Sequence, residues 1–133
     1  MDVLLDTCAF LYLCTDDPKL SSAATRIILN RQNRRFLSIG SVWEMAIKSN
    51  PMRPSNKKLE LGKPLDVFMS EYLELYEVEL IPLDMSCLAK LSVMLAEHGD
   101  PFDRLIIAKA LVLSIPIVTN DPKFIGFGVT IIW

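Results

Sequence analysis

The sequence predicts an α/β domain built on a parallel central sheet. Short apolar runs alternate along the chain with stretches whose apolar residues recur at helical spacing. No internal repeat, linker or low-complexity tract breaks that alternation, and 133 residues at 51% hydrophobic content are enough for one buried core. The expected organisation is therefore a single domain over residues 1–133.

The elements follow in order. Val3, Leu4 and Leu5 form the first strand, which stops at Asp6, and Thr7 caps a helix carrying Phe10, Leu11 and Leu13. Ser21 caps a second helix over residues 22–30, with Ala24, Ile27 and Ile28 on one side. Residues 36–39 read as a buried strand, and Ser41 caps a helix holding Val42, Trp43, Met45, Ala46 and Ile47. Pro51, Pro54, Asn56 and Gly62 make residues 50–63 a loop. Pro64 suits the first turn of a helix ending near Tyr76, whose Phe68, Met69 and Tyr72 read as core or dimer surface. Residues 78–81 supply a strand; Asp84 or Ser86 then caps a helix to about Glu97, with Leu88, Leu91 and Leu95 inward and His98-Gly99 ending it. Asp100 caps the next helix, Pro101 fits its first position, and residues 102–113 are apolar enough to be covered on most sides. Residues 117–119 and 129–132 supply the last strands, for a sheet of about five.

Composition excludes several classes of function. A net charge of −2 and a pI near 5.4 rule out recruitment of partners by bulk positive charge, so nucleic acid would be bound through a local basic patch or metal ions. The three cysteines, Cys8, Cys14 and Cys87, form no C-x-x-C pair, which argues against thiolate zinc and for a reducing compartment. Asp2 and Asp6 stand where a signal peptide needs a basic, then apolar, start. The longest apolar stretch, residues 105–118, is broken by Lys109, Ser114 and Pro116 and falls short of the roughly 20 residues that span a bilayer. The expectation is a cytoplasmic protein with no membrane partner.

The chemistry concentrates on acids. Asp6 ends the first strand, Glu44 lies one turn beyond the second and Asp121 follows the 117–119 strand. In a parallel sheet the carboxyl ends of the strands share one edge, where open α/β proteins hold ligands, so these acids should converge, joined by Asp103 if its helix points the same way. Taken singly, each acid has a structural reading as a cap, a dipole partner or a solvated helix residue. Asp6 and Glu44, however, are embedded in apolar sequence, where an unpaired charge is costly. Four converging carboxylates call for a cation, and hard oxygen donors without His or Cys favour Mg2+ or Mn2+.

Other templates fail. The chain has neither G-x-G-x-x-G nor a P-loop, and the single histidine, His98, has no nucleophile elbow beside it.

At four places, in order, the residues resemble a known family. Leu4-Leu5-Asp6-Thr7, Ser41-Val42-Trp43-Glu44-Met45-Ala46-Ile47-Lys48, Asp100-Pro101-Phe102-Asp103-Arg104-Leu105-Ile106-Ile107-Ala108 and Thr119-Asn120-Asp121-Pro122-Lys123-Phe124 are similar to successive motifs of PIN-domain nucleases, most of all the VapC-like toxins of type II toxin–antitoxin pairs. The resemblance runs from Val3 to Trp133. It implies a three-layer α/β/α fold, Mg2+- or Mn2+-dependent endoribonuclease activity, a homodimer and inhibition by a cognate antitoxin protein. Carried over by motif, the catalytic and metal-binding acids are Asp6, Glu44, Asp103 and Asp121, with Asp100, Thr7 and Thr119 as auxiliary positions. Two places depart from the family pattern: Cys8 stands where the family often has His or Asn, and the loop 50–58 lacks the usual glycine-containing continuation.

The mechanism expected from this set is metal-assisted hydrolysis of an RNA phosphodiester. Four acids repel RNA, so a basic rim is needed as well, for which Arg31, Arg34, Arg35, Arg53, Lys57 and Lys58 are candidates. Arg104 could serve there or pair with an acid and hold the empty site together. Two alternatives stand beside this reading: a catalytically silent PIN-like scaffold that binds protein or RNA, and a phosphotransfer domain, for which Cys8 occupies the place of a needed second Asp.

Overall fold

A computed structural model describes residues 1–95 and 99–133. Five strands, β1 (Asp2–Leu5), β2 (Arg34–Ser38), β3 (Val78–Ile81), β4 (Ile117–Val118) and β5 (Ile131–Ile132), form one sheet in the order β3-β2-β1-β4-β5. All the pairings are parallel. The helices are α1 (Thr7–Cys14), α2 (Ser22–Leu29), α3 (Ile39–Lys48), α4 (Leu65–Leu75), α5 (Met85–Ser92) and α6 (Pro101–Leu113), with a 3-10 turn at Pro122–Phe124.

The two-residue alternation of β1 divides the core in two. Val3 and Leu5 point into a cluster with Phe10, Ile28, Met45, Phe68 and Met69, while Leu4 points to the opposite face, where Ile106, Ile107 and Ala110 of α6 cover the sheet. The result is the expected three-layer α/β/α arrangement. Phe68 and Met69 are core residues, with Tyr72 packed against them.

Local capping decides where several elements begin. Asp6, rather than Thr7, caps α1: its Oδ1 accepts from the Ala9 N–H at 2.6 Å. Ser38, rather than Ser41, caps α3 by accepting from the Gly40 N–H at 3.1 Å, so the helix starts at once where β2 stops. Ser21 caps α2 as expected, and Asp84 caps α5. Pro64 stands at the cap of α4 rather than inside its first turn. β2 begins two residues before the expected 36, because Arg34 and Arg35 join the ladder opposite Asp2 and Val3.

The expected helix to Glu97 is corrected: α5 ends at Ser92, Leu88 and Leu95 are exposed, and Cys87 with half-buried Leu91 turns inward instead. That face is selected by α6, where the Cys87 thiol meets the Leu105 carbonyl and buried Lys109 reaches back to Asp84 at 2.9 Å. The expected ending at His98-Gly99 involves His98, which lies outside the described residues. α6 agrees with its expected span, is buried through residues 105–110, and ends where Ser114 turns left-handed at φ 55°. No described helix is long and apolar enough to cross a membrane.

Candidate active site

The strand order reverses between β1 and β4: from β1 the sheet grows one way through β2 and β3 and then, after the return of the chain, the other way through β4 and β5. A crevice opens at such a switch point, outside the carboxyl ends of the two strands. Leu5 pairs with both Leu37 and Val118, so the residues that follow β1, β2 and β4 leave the sheet at one level.

A cleft of about 430 Å³ lies there. The carboxylates of Asp6, Glu44, Asp100, Asp103 and Asp121 line it, together with Thr7, Cys8, Lys48, Asn120 and Pro122. Each acid is delivered by local structure. Asp6 follows β1 and caps α1; Asp100 caps α6 by accepting from the Phe102 N–H at 2.9 Å; Asp103 sits in the first turn of the same helix. Asp121 follows β4 and caps the 3-10 turn, accepting from the Lys123 N–H at 2.9 Å. The structural reading of these acids as caps is thus correct for Asp6, Asp100 and Asp121, and the same positions turn them towards the cleft.

Asp6 is 5% exposed, and its carboxyl is pushed up to about 6. Burial is the main cause; hydrogen bonds from the Thr119 hydroxyl and the Ala9 N–H oppose it, and the negative charges of Asp103 and Asp121 add to it. Thr119 is fully buried and also accepts from the Asp121 N–H at 3.1 Å, which ties the end of β4 to the end of β1. Packing around Cys8 and, next, the charges of Asp6 and Glu44 push its thiol up to about 11, so it remains a neutral wall of the cleft at physiological pH.

Glu44 is satisfied from within the protein. The Thr7 hydroxyl donates to Oε1 at 2.6 Å and the Lys48 ammonium donates to Oε2 at 2.5 Å. Lys48 is not among the site residues expected from sequence; its spacing of four residues from Glu44 on one helix is the signal that identifies it.

The basic residues expected from sequence as a rim lie outside the lining of the cleft. Arg34 and Arg35 open β2, at the opposite edge of the sheet, where Arg35 pairs with Glu77 and Arg34 with Glu79 and Asp2. Arg31 precedes that strand. Arg53 donates to the Lys57 carbonyl and Lys58 lies 3.8 Å from Glu60, and none of Arg53, Lys57 and Lys58 lines the cleft. Arg104 is half-buried, donates to the Met94 carbonyl at 3.1 Å and is likewise not part of the lining. Among the described residues, Lys48 is the cleft's own cation.

The donor chemistry suits a hard divalent cation: every acidic donor is a carboxylate oxygen, and the like charges around buried Asp6 are what a cation would relieve. Among the described residues, however, no three of these side chains are drawn together into a ready-made cage. Convergence reaches the level of a shared cleft and stops short of coordination.

Residues 3–128 match the family model of the PIN domain. The chain belongs to the PIN domain family. Comparison with curated proteins gives no match. Solved structures similar to this PIN domain include VapBC2 from Rickettsia felis bound to a DNA fragment from its promoter, at 16% identity and TM-score 0.72, covering 98% of this chain and 97% of the other. VapBC-1 from nontypeable Haemophilus influenzae is 18% identical with TM-score 0.66, covering 98% and 96%. FitAcB from Neisseria gonorrhoeae is 19% identical with TM-score 0.65, covering 97% and 95%. At these identities the likeness is one of fold.

Proposed function

We propose that this PIN domain is a metal-dependent endoribonuclease and the toxin of a toxin–antitoxin pair. The observation that carries the reading is buried Asp6 at the switch point, facing Asp103 and Asp121 across a cleft. Asp6, Asp103 and Asp121, with Glu44, are the residues that would hold Mg2+ or Mn2+, and Asp100 lies on the same wall. When bound, the ion supplies an activated water and neutralises charge on the phosphate. The chain's own part is positional. Thr119 and the start of α1 hold Asp6, Thr7 holds Glu44, and the N-terminus of α6 orients Asp103.

The structural neighbours from R. felis and H. influenzae are VapBC assemblies, which supports a protein antitoxin as partner. A homodimer acting on RNA in the cytoplasm completes the proposal. Expression without the antitoxin is then expected to be poorly tolerated.

The test is cleavage of a labelled RNA pool by the purified protein in Mg2+, Mn2+ or chelator, beside Asp6→Ala and Asp103→Ala. Metal-dependent cutting that is lost in both folded variants is expected; retained cutting in either removes that residue from the site. One observation favours a second reading as a silent binding scaffold: both oxygens of Glu44 already have partners within the protein. Intact RNA after incubation of native protein with Mn2+ would decide for it.

A further inference from the structure

We propose that Lys48 is an RNA-binding residue of this site, stored on Glu44 in the free protein and transferred to a substrate phosphate when RNA enters the cleft. The proposal rests on the nuclease reading above and adds to it the residue that receives the polyanion.

Charge gives the first argument. The cleft gathers the carboxylates of Asp6, Glu44, Asp100, Asp103 and Asp121, and a phosphodiester entering it meets a wall of its own sign. The basic residues of β2 and of the loop after α3 lie elsewhere, so among the described residues Lys48 is the cation on the lining. An ammonium is a compact donor on a flexible stem and suits a phosphate oxygen as a point charge.

The asymmetry of the pair gives the second. Glu44 is fixed, with its side chain 6% exposed and its other oxygen held by Thr7, whereas the Lys48 side chain is 42% exposed. Lys48 is therefore the member that can turn outward, rotating about its stem while α3 and Glu44 stay in place. An ordinary helix-surface pair has both members in solvent and contributes little. Here the acid is buried and the ammonium stands at the mouth of the cleft.

Exchange of partners has two measurable consequences. Contact with a phosphate makes substrate binding depend on Lys48, and its pairing with Glu44 makes it a competitor of any cation that approaches that carboxylate. The experiment compares wild type, Lys48→Met and Lys48→Arg by kinetics on the labelled RNA pool in Mn2+ at several salt concentrations. Mn2+ binding to each RNA-free protein is followed by electron paramagnetic resonance.

In Lys48→Met, KM is expected to rise about tenfold or more, as for loss of a charge-assisted contact, with kcat nearly unchanged. The slope of log affinity against log salt should weaken by about 0.7, one single-strand phosphate contact. RNA-free Lys48→Met should bind Mn2+ about tenfold more tightly, because a neighbouring positive charge is gone. Lys48→Arg should keep KM within about threefold of wild type, as a retained cation implies; Lys48→Gln, which removes the charge but keeps a donor for Glu44, takes the place of the methionine variant if that fails to fold, with the same expected changes. Unchanged KM and salt slope in Lys48→Met would overturn the proposal and leave Lys48 a structural partner of Glu44. A fall in kcat at constant KM would also overturn it. Wild type that cleaves normally beside such a variant leaves the nuclease reading standing, whereas wild type that neither cleaves RNA nor binds Mn2+ takes both down.

Discussion

Arg35 and Asp6 are almost equally buried, at 6% and 5% exposure, yet the two ends of the sheet treat them in opposite ways. At the amino edge the Arg35 guanidinium donates to the carbonyls of Ile28 and Asn30 and pairs with Glu77 at 3.2 Å; only its Nε lacks a partner among the described residues. Neighbouring Arg34 pairs with Glu79 and Asp2, and the chain's own N-terminus donates to Asn33. At the carboxyl edge Asp6 faces Asp103 and Asp121, and its carboxyl is pushed up to about 6. An opposite charge and hydrogen bonds let a fold tolerate a buried ion, whereas buried like charges mark a place where a ligand can supply the missing counter-charge.

Substitutions at the two edges should therefore separate activity from stability. Asp6→Asn keeps a side chain that can cap α1 and removes the charge, so cleavage should fall by about a thousandfold or more, as for loss of a metal-holding group, while the protein stays folded. Activity assays beside circular dichroism check both halves. Near-normal cleavage by Asp6→Asn would show that the Asp6 charge is not needed for the reaction.

The pH dependence sharpens it. Because the folded carboxyl of Asp6 titrates near 6 and the unfolded one at 3.8, the native state holds a proton that the unfolded state has released. The stabilising effect of that proton is complete below about pH 3.8 and is lost as pH rises through about 6. The shift corresponds to at most about 3 kcal/mol. In chelator, Asp6→Asn should match wild type near pH 4 and exceed it in denaturant stability at pH 7. Mn2+ should close that gap for wild type above about pH 6 only. A gap that is independent of pH would show that burial and the acidic neighbours do not hold the Asp6 carboxyl above its ordinary value.

At the amino edge the expectations reverse. Arg35→Ala should cost about 2 to 3 kcal/mol through lost hydrogen bonds and stem packing, with kcat unchanged in the folded fraction, as denaturant melts and kinetics would reveal. Arg34→Ala should shift stability by no more than about 0.5 kcal/mol, since its ion pairs are solvated; Arg34 is 65% exposed at its side chain. A larger activity change than stability change in either variant would mean that the amino edge takes part in function.

The same contrast explains what could be read in the sequence. The order of strands and helices was legible because β1 and β3 are short, mainly apolar runs, while α2 and the largely buried α6 begin at side-chain caps, Ser21 and Asp100. The cleft acids were legible because a residue that ends a parallel strand or opens a helix has a known edge of the sheet to face. That Arg34 and Arg35 lie outside the cleft lining could not be read from the charge of the run alone. Their partners Glu77 and Glu79 lie more than forty residues away, on a strand whose register is set only by the fold. α5 was misjudged because Leu88, Leu91 and Leu95 satisfy helical spacing, while the helix stops at Ser92 and α6 selects the Cys87 side. Lys48 was passed over although its spacing from Glu44 was visible, because no sequence rule says which of the exposed lysines faces a cleft.

On the proposed function, the carboxyl edge is an incomplete charge arrangement that a divalent cation would complete. Calorimetric titration of Mn2+ into metal-free wild type and Asp6→Asn at pH 7 tests it most directly. Saturable binding to the wild type is expected, with loss of that binding in the folded variant. Absence of binding to the wild type, or equal binding by both proteins, would contradict it.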